Sequence, residues 1–409
     1  MGKTTSVEEA RKKVFLVGIQ EGNMSRAEVD SLAKELLRLV DTLGLEVASQ
    51  EIVHVREKQA KYGVGTGKAE ELAQKATSME VDCVILDRDL SPSQQRNWEE
   101  LTGISVIDRQ ELIIQIFASR ARTREAELQA GLAQLVYTLP RLRHKYIDLS
   151  RQRGGRYGTR GAGETRLETD RRRLEKRIHR MEEELELLKR RRQVQRKQRE
   201  RHGVAVCALV GYTNAGKSSL LNSLTGAEVL AEDKLFATLD STSRKLKLPE
   251  AEDSRTQIIL VDTVGFIRRL PHSLINAFRS TLEEASRADL ILNVLDASDP
   301  DIATHHETTL SVLGELGAGD IPRITVLNKI DRIEFAKTSR GVSGETSDNI
   351  TIEALLKLFP RSIPVSAVSG KGLPELCSRI ETLLVSQKKL NPNNSLSYQG
   401  QSEGILIDG

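Results

Sequence analysis

Two kinds of apolar pattern alternate along the chain. Short runs dominated by Val, Ile, Leu and Ala occur at Val14–Ile19, Glu51–Val55, Cys83–Leu86 and Ser105–Ile107. They return at Val204–Val210, Gln257–Val261, Leu290–Leu295, Ile324–Leu327 and Pro364–Val365. Runs of this length read as strands buried on both faces. Between the early runs, apolar residues recur every three or four positions, as at Val29, Leu32, Leu36 and Val40, and helices are predicted over 26–43, 69–76 and 94–101. Strand–helix alternation predicts α/β architecture with a largely parallel sheet. It occupies residues 1–120 and again 204–386, two α/β domains separated by a segment of different character.

That middle segment, 121–203, carries Leu128, Leu132, Leu135 and Leu139, then Leu174, Ile178, Met181, Leu185 and Leu188. Both sets are narrow seams of the coiled-coil kind and predict an antiparallel helical hairpin. The connector, Arg151 to Gly163, sets Arg151, Arg153, Arg156 and Arg160 among glycines, with Tyr157 beside them. Such a tip can close on a phosphate backbone and stack an aromatic ring on an unpaired base; a solvated loop is the alternative. A second basic run, Lys189–Arg201, reads equally as a phosphate contact or a solvated helix end. The tail, 387–409, is rich in Asn, Ser, Gln and Gly and is expected to be disordered.

Charge reinforces the division. The whole chain of 409 residues is +3, yet residues 121–203 hold 24 Lys/Arg against 12 Asp/Glu, leaving the remainder acidic. An anionic partner for the middle segment follows, expected to be RNA and not DNA. The three cysteines lie too far apart for a disulfide framework or a zinc cluster, which points to a reducing, cytoplasmic setting. No apolar run approaches the roughly 20 residues that span a bilayer, so no stable membrane insertion is expected. Met1-Gly2 with Ser6 fits the loose myristoylation pattern but has no second membrane signal beside it. A monomer is expected.

The chemistry begins where the Val204–Val210 strand meets Gly211-Tyr212-Thr213-Asn214-Ala215-Gly216-Lys217-Ser218, followed by Ser219. This fits the phosphate loop G-x-x-x-x-G-K-[ST], whose glycines let successive N–H groups face a phosphate chain at a helix N-terminus. Lys217 would reach the β- and γ-phosphates, and the Ser218 hydroxyl would hold Mg²⁺. The next strand ends in Asp262-Thr263-Val264-Gly265, the D-x-x-G of a GTPase second switch; Asp262 would bind Mg²⁺ through water and the Gly265 N–H would meet the γ-phosphate. Asn328-Lys329-Ile330-Asp331 follows another strand as N-K-x-D, whose carboxylate accepts from guanine N1 and N2 where adenine offers no donor. Ser366-Ala367 resembles the final guanine-contacting loop.

All four motifs occur in order, each after an apolar strand, and predict a P-loop GTPase domain that binds GTP and GDP. The first switch falls between Ala231 and Leu248: Thr238, within Phe236-Ala237-Thr238, is the candidate that closes over Mg²⁺, with Thr242 as competitor. Phe266 stands where Ras-like enzymes carry the glutamine that orients water, so slow intrinsic hydrolysis is expected. Asn214 matches the asparagine that coordinates K⁺ in some similar GTPases; a plain turn role is the alternative. In the first domain Tyr62 to Lys68 is glycine-rich before a helix; a plain turn is favoured over an anion site there, and ATP binding stays open.

At this point the chain resembles the HflX family of GTPases over nearly its whole length. The residues that carry the likeness are Gly65-Thr-Gly-Lys-Ala-Glu-Glu-Leu72, Ile116-Phe-Ala-Ser-Arg-Ala-Arg122, Leu139-Pro-Arg-Leu142 and Gly161-Ala-Gly-Glu-Thr-Arg-Leu-Glu-Thr-Asp-Arg-Arg172, together with the phosphate loop and Asp262-Thr-Val-Gly-Phe-Ile267. The resemblance implies a cytoplasmic protein that binds the large ribosomal subunit and separates stalled or idle 70S ribosomes, especially under heat stress. It also implies that the N-terminal domain and hairpin engage ribosomal RNA near the peptidyl-transferase region. Ala162 and Ser241 stand where the family usually has proline, and the C-terminal domain of many members has no counterpart in 386–409. The competing readings are an RNA-binding ribosome-assembly factor with incidental turnover and, more remotely, a membrane-trafficking G protein.

Overall fold

The computed structural model describes residues 11–22, 24–57, 59–142, 160–227, 232, 234–238, 242–246, 257–269, 271, 274, 279–333 and 351–390, and no side chains at 160–167, 200, 279–281 or 385–390. Packing divides the chain into two compact units: Met1–Leu188 with Glu232–Asp240 and Arg269–Arg279, and Lys189–Ala231 with Ser241–Arg268 and Ser280–Gly409. Among the described residues no helix is long and apolar enough to cross a membrane.

The first unit opens with β1 (Lys13–Glu21), α1 (Arg26–Thr42), β2 (Glu46–Val55), α2 (Thr66–Ser78), β3 (Cys83–Leu86), α3 (Pro92–Thr102) and β4 (Ser105–Asp108). All strand pairs are parallel, in the order β2-β1-β3-β4. Phe15, Val17 and Ile19 of β1 join Val84, Leu86, Val106 and Trp98 in one core, which accounts for the apolar runs. Local signals set the helix ends. Ser25 caps α1 by accepting from Glu28 N, and Ser91 and Gln94 form a reciprocal capping box with Pro92 in the first turn of α3. In the glycine-rich turn before α2, Tyr62 O accepts from Trp98 Nε1 and Lys68 is engaged by Glu51 and Glu71. With its ammonium paired to two carboxylates, Lys68 serves the structure there.

Helix α4 (Arg109–Arg120) lies outside the sequence expectations. Asp108 starts it by accepting from Glu111 N, and Arg109 is buried between Asp87, at 2.6 Å, and Glu35. Helix α5 runs from Arg124 only to Thr138, and Leu139–Arg141 forms a 3₁₀ turn. Pro140 stops the expected longer helix, because it lacks the N–H and clashes with the preceding turn. The buried face of α5 is also broader than the leucine seam: Ala126, Leu128, Ala130, Ala133 and Tyr137. Helix α6 spans Arg160–Arg201, so residues 160–163 are its first turn and not part of the connector. Glycine near a helix end costs less than in its middle, which lets the long helix extend through Gly161 and Gly163. Along α6, Leu174, Ile178, Met181, Leu185 and Leu188 are half-buried between exposed charges, the expected seam. Helices α5 and α6 meet at the Arg124–Glu184 ion pair and at Gly131, where a Cβ would lie 2.7 Å from the Met181 methyl. Arg151, Arg153, Arg156 and Tyr157 lie outside the described residues, as do 391–409.

The second unit continues with β5 (Ala205–Gly211), α7 (Lys217–Thr225), β6 (Thr242–Lys245), β7 (Ile258–Asp262), α8 (Arg279–Ser286), β8 (Leu290–Asp296), α9 (Ile302–Glu315), β9 (Arg323–Asn328), α10 (Ile352–Leu358), β10 (Ile363–Pro364) and α11 (Leu373–Leu390). The sheet order is β10-β9-β8-β5-β7-β6, parallel throughout except for β6. Strand β6, Thr-Ser-Arg-Lys, lies antiparallel on the edge. Its polar composition hid it, since an edge strand need not be apolar. Helix α11 runs four residues past the expected boundary at 386.

Candidate nucleotide-binding site

The motifs converge because consecutive parallel strands end at one edge of the sheet, where ligands of open α/β sheets bind. Strand β5 delivers the phosphate loop. Gly211 takes φ +146 with its Cα so close to β8 that a Cβ would lie 2.2 Å from Val294 O. Gly216 takes φ +86, and a Cβ there would lie 2.3 Å from Asn328 Nδ2. The glycine spacing read as a phosphate cradle is thus also required by packing against β8 and the N-K-x-D segment. Lys217 is buried at the start of α7 and donates to Gly211 O at 3.2 Å and Tyr212 O at 2.8 Å, which curls its side chain along the loop. Burial pushes its ammonium down to about 8; nearby Asp262 opposes this and Lys329 adds to it.

Strand β7 places Asp262 beside α7, where Asp262 Oδ2 accepts from Ser218 Oγ at 2.6 Å. Thr263 spends its hydroxyl on Leu209 O at 2.7 Å, so its side chain joins β7 to β5. Gly265 passes so near Thr213 and Lys217 that a Cβ would lie 2.8 Å from Thr213 Cα and 2.9 Å from Lys217 Nζ. Phe266 is 1% exposed and bridges in parallel to Tyr212, so its ring faces the interior.

Strand β9 leads into the N-K-x-D segment, which braces the loop. Asn328 Nδ2 donates to Ala215 O at 3.0 Å, and its Oδ1 accepts from Ala367 N at 3.1 Å. Lys329 Nζ donates to Asn214 O at 2.6 Å and pairs with Asp296 at 2.8 Å. Asp331 Oδ1 accepts from Ser366 Oγ at 2.6 Å. Asn214 takes φ +62, a turn geometry that asparagine tolerates. Asp296, which follows the Leu290–Leu295 run, lies in none of the four motifs, and its pairing with Lys329 gives it a role. His305 was missed altogether, for no motif marks it. The first-switch residues Phe236, Ala237 and Thr238 belong to the first unit. There Phe236, at φ +53, packs edge-on against Phe117 at 4.7 Å, and Arg120 pairs with Glu232 at 2.7 Å. Thr242 is taken up in β6 opposite Asp262.

The oxygen-rich set at Ser218 and Asp262 suits a hard divalent cation. Thr213 Oγ1, buried on a residue that lies against Gly265 and without a partner among the described residues, suits a ligand oxygen.

The chain is similar to known proteins over most of its length. Residues 30–118 match the family described as GTP-binding GTPase N-terminal, 120–199 that described as GTP-binding GTPase Middle Region, and 206–329 that described as 50S ribosome-binding GTPase. A protein named GTPase HflX from Akkermansia muciniphila is 46% identical over 388 residues, 93% of this chain and 85% of its own. The Escherichia coli K12 protein of that name is 42% identical over 344 residues, 84% of this chain and 76% of its own. A crystal structure of a GTP-binding protein from Sulfolobus solfataricus in complex with GDP aligns at 25% identity and a TM-score of 0.44, over 92% of this chain and 99% of that one. Relatives that share one name along most of their length leave a single assignment for a chain whose guanine-nucleotide motifs meet at one sheet edge: it is a GTPase of the HflX family.

Proposed function

We propose that this GTPase is a cytoplasmic, monomeric ribosome-associated factor. It binds the large ribosomal subunit through residues 1–120 and the basic segment 121–203, and splits or rescues stalled or idle 70S ribosomes according to whether GTP or GDP is bound. The observation that carries this is the charge of the middle segment, 24 Lys/Arg against 12 Asp/Glu, in a chain that also holds a complete guanine-nucleotide site. Arg151, Arg153, Arg156, Arg160 and Tyr157 are the proposed RNA contacts. The match of residues 206–329 to a family described as 50S ribosome-binding GTPase supports the choice of partner.

In the proposed site, Ser218 and Asp262 hold Mg²⁺, and Thr238 closes over it. Thr242 is disfavoured because β6 engages it. Mg²⁺ held by these residues would supply positive charge to offset that of the phosphates. Lys217 and the loop amides bind the phosphates, Gly265 N–H contacts the γ-phosphate, and Asp331 reads guanine with Ser366 and Ala367 beside it. Since the Phe266 ring is buried and carries no polar group, it positions no water, and hydrolysis depends on a partner such as the ribosome, on a monovalent cation such as K⁺ at Asn214, or on a group brought in on docking. Equal hydrolysis rates in KCl and NaCl would remove the K⁺ role.

The test is sedimentation of 70S ribosomes with the protein and a non-hydrolysable GTP analogue, alongside a variant with Arg153, Arg156 and Arg160 changed to Glu. Cosedimentation with large subunits, subunit separation and loss of both in the variant are expected. Equal binding of empty, GDP-loaded and GTP-loaded protein would overturn the nucleotide control.

A further inference from the structure

The segment after β7 is held to the phosphate loop at both ends. At one end Ser218 Oγ donates to Asp262 Oδ2. Toward the other, Phe266 N donates to Gly211 O at 3.1 Å and Thr213 N to Phe266 O at 2.8 Å, and beyond that bridge Arg268 N donates to the Tyr212 hydroxyl at 2.8 Å. Gly265 lies between, against Thr213 and Lys217. In the proposed site Lys217 and Gly265 serve the same terminal phosphate, and here the two lie side by side.

The Arg268 contact depends on where the Tyr212 ring points. A phenol on a loop has two free torsions, and an unsupported one would swing. Here the ring lies parallel on the His305 imidazole, with centroids 3.7 Å apart and planes 12° from parallel. His305 is 8% exposed and belongs to α9, outside every nucleotide motif. Its Nδ1 lies 3.7 Å from Asp299 Oδ2. A stacked pair of this kind fixes ring orientation as well as burying apolar surface.

We infer that His305 is a positioning residue for GTP: by stacking on Tyr212 it aims the tyrosine hydroxyl at the Arg268 amide and so holds the second switch with Gly265 at the terminal phosphate. The inference rests on the proposed contact of Gly265 with the γ-phosphate. Since GDP has no such phosphate, the effect falls on the triphosphate alone.

The test measures binding of fluorescent GDP and a fluorescent non-hydrolysable GTP analogue to the full chain, together with hydrogen exchange of the Arg268 amide. His305→Leu and Tyr212→Phe should each lower the ratio of analogue to GDP affinity about fivefold, the worth of one neutral hydrogen bond. The double variant should fall no further, because the two act through one contact. His305→Phe, which keeps a flat ring on Tyr212, should restore the ratio. Arg268 exchange should quicken in Tyr212→Phe. Unchanged Arg268 exchange in a Tyr212→Phe protein of native thermal stability overturns the inference, as does equal weakening of both nucleotides by His305→Leu. If Gly265→Ala leaves the affinity ratio unchanged, the γ-phosphate role of Gly265 fails; faster Arg268 exchange in Tyr212→Phe would still support the latch.

Discussion

The Ser218 hydroxyl donates to Asp262 Oδ2 at 2.6 Å, joining the first turn of α7 to the end of β7. A serine oxygen can keep that bond while its lone pair faces a cation, which is compatible with the Mg²⁺ site proposed above. Ser218→Ala removes both the ligand and the bond. Mg²⁺-dependent GDP binding should weaken about tenfold or more, while binding in EDTA changes little. Fluorescent-GDP titrations with and without Mg²⁺ check this, and identical curves for variant and parent would contradict the metal assignment.

Lys217 leads to a prediction about pH. Burial lowers its ammonium from 10.5 to about 8, so above pH 8 the nucleotide-free protein holds much of it neutral. Between those values the unfolded chain binds more protons than the folded one, and this residue's contribution to stability therefore rises with pH. A bound phosphate chain favours the charged form. Nucleotide binding should take up nearly one proton at pH 9 and almost none at pH 7. Calorimetry in buffers of different ionisation enthalpy measures the uptake, and a value independent of pH would refute the assignment.

Asp331 accepts from Ser366 Oγ through one oxygen, which fixes the plane of the carboxylate proposed to read the base. Asp331→Asn replaces an acceptor pair with one acceptor and one donor. Preference should move from guanosine toward xanthosine triphosphate, with GTP affinity falling at least tenfold. Competition binding with the two nucleotides decides it; unchanged preference would exclude Asp331 as the guanine reader.

Arg109 offers a test of stability away from the nucleotide. Its guanidinium is buried between Glu35 and Asp87, and Arg109→Met would leave two buried carboxylates without it. Loss of about 3–5 kcal/mol is expected. Calorimetric unfolding of the variant should show a matching fall in the transition of the first unit, with GDP affinity preserved. A shift within error would mean that water or rearrangement compensates the pair.

The nucleotide loop was legible because its chemistry constrains the backbone. Gly211 and Gly216 sit where a Cβ would strike Val294 O and Asn328 Nδ2, so glycine marks those positions in sequence. The central parallel strands were legible because burial on both faces demands unbroken apolar runs, whereas β2, parallel but at the sheet edge and half-exposed, begins five residues before the expected Glu51. Strand β6 was not legible, since an exposed edge imposes no such pattern. Helix α5 was overextended because the leucine spacing continued through Pro140, while its buried face is built largely of alanine, which forms no conspicuous stripe.

Asp296 with Lys329 and His305 with Tyr212 mark the division between what the chain alone determined and what folding decided. Strand runs, caps and the four motifs act through residues adjacent or a few steps apart, and these the amino-acid order settled by itself, along with guanine-nucleotide chemistry. Pairings across the sheet edge join residues far apart in the chain, with no local rule linking them. Only the packing of α9 against β5 and of β9 against β8 brought them together, because side-chain contact depends on where whole elements come to rest.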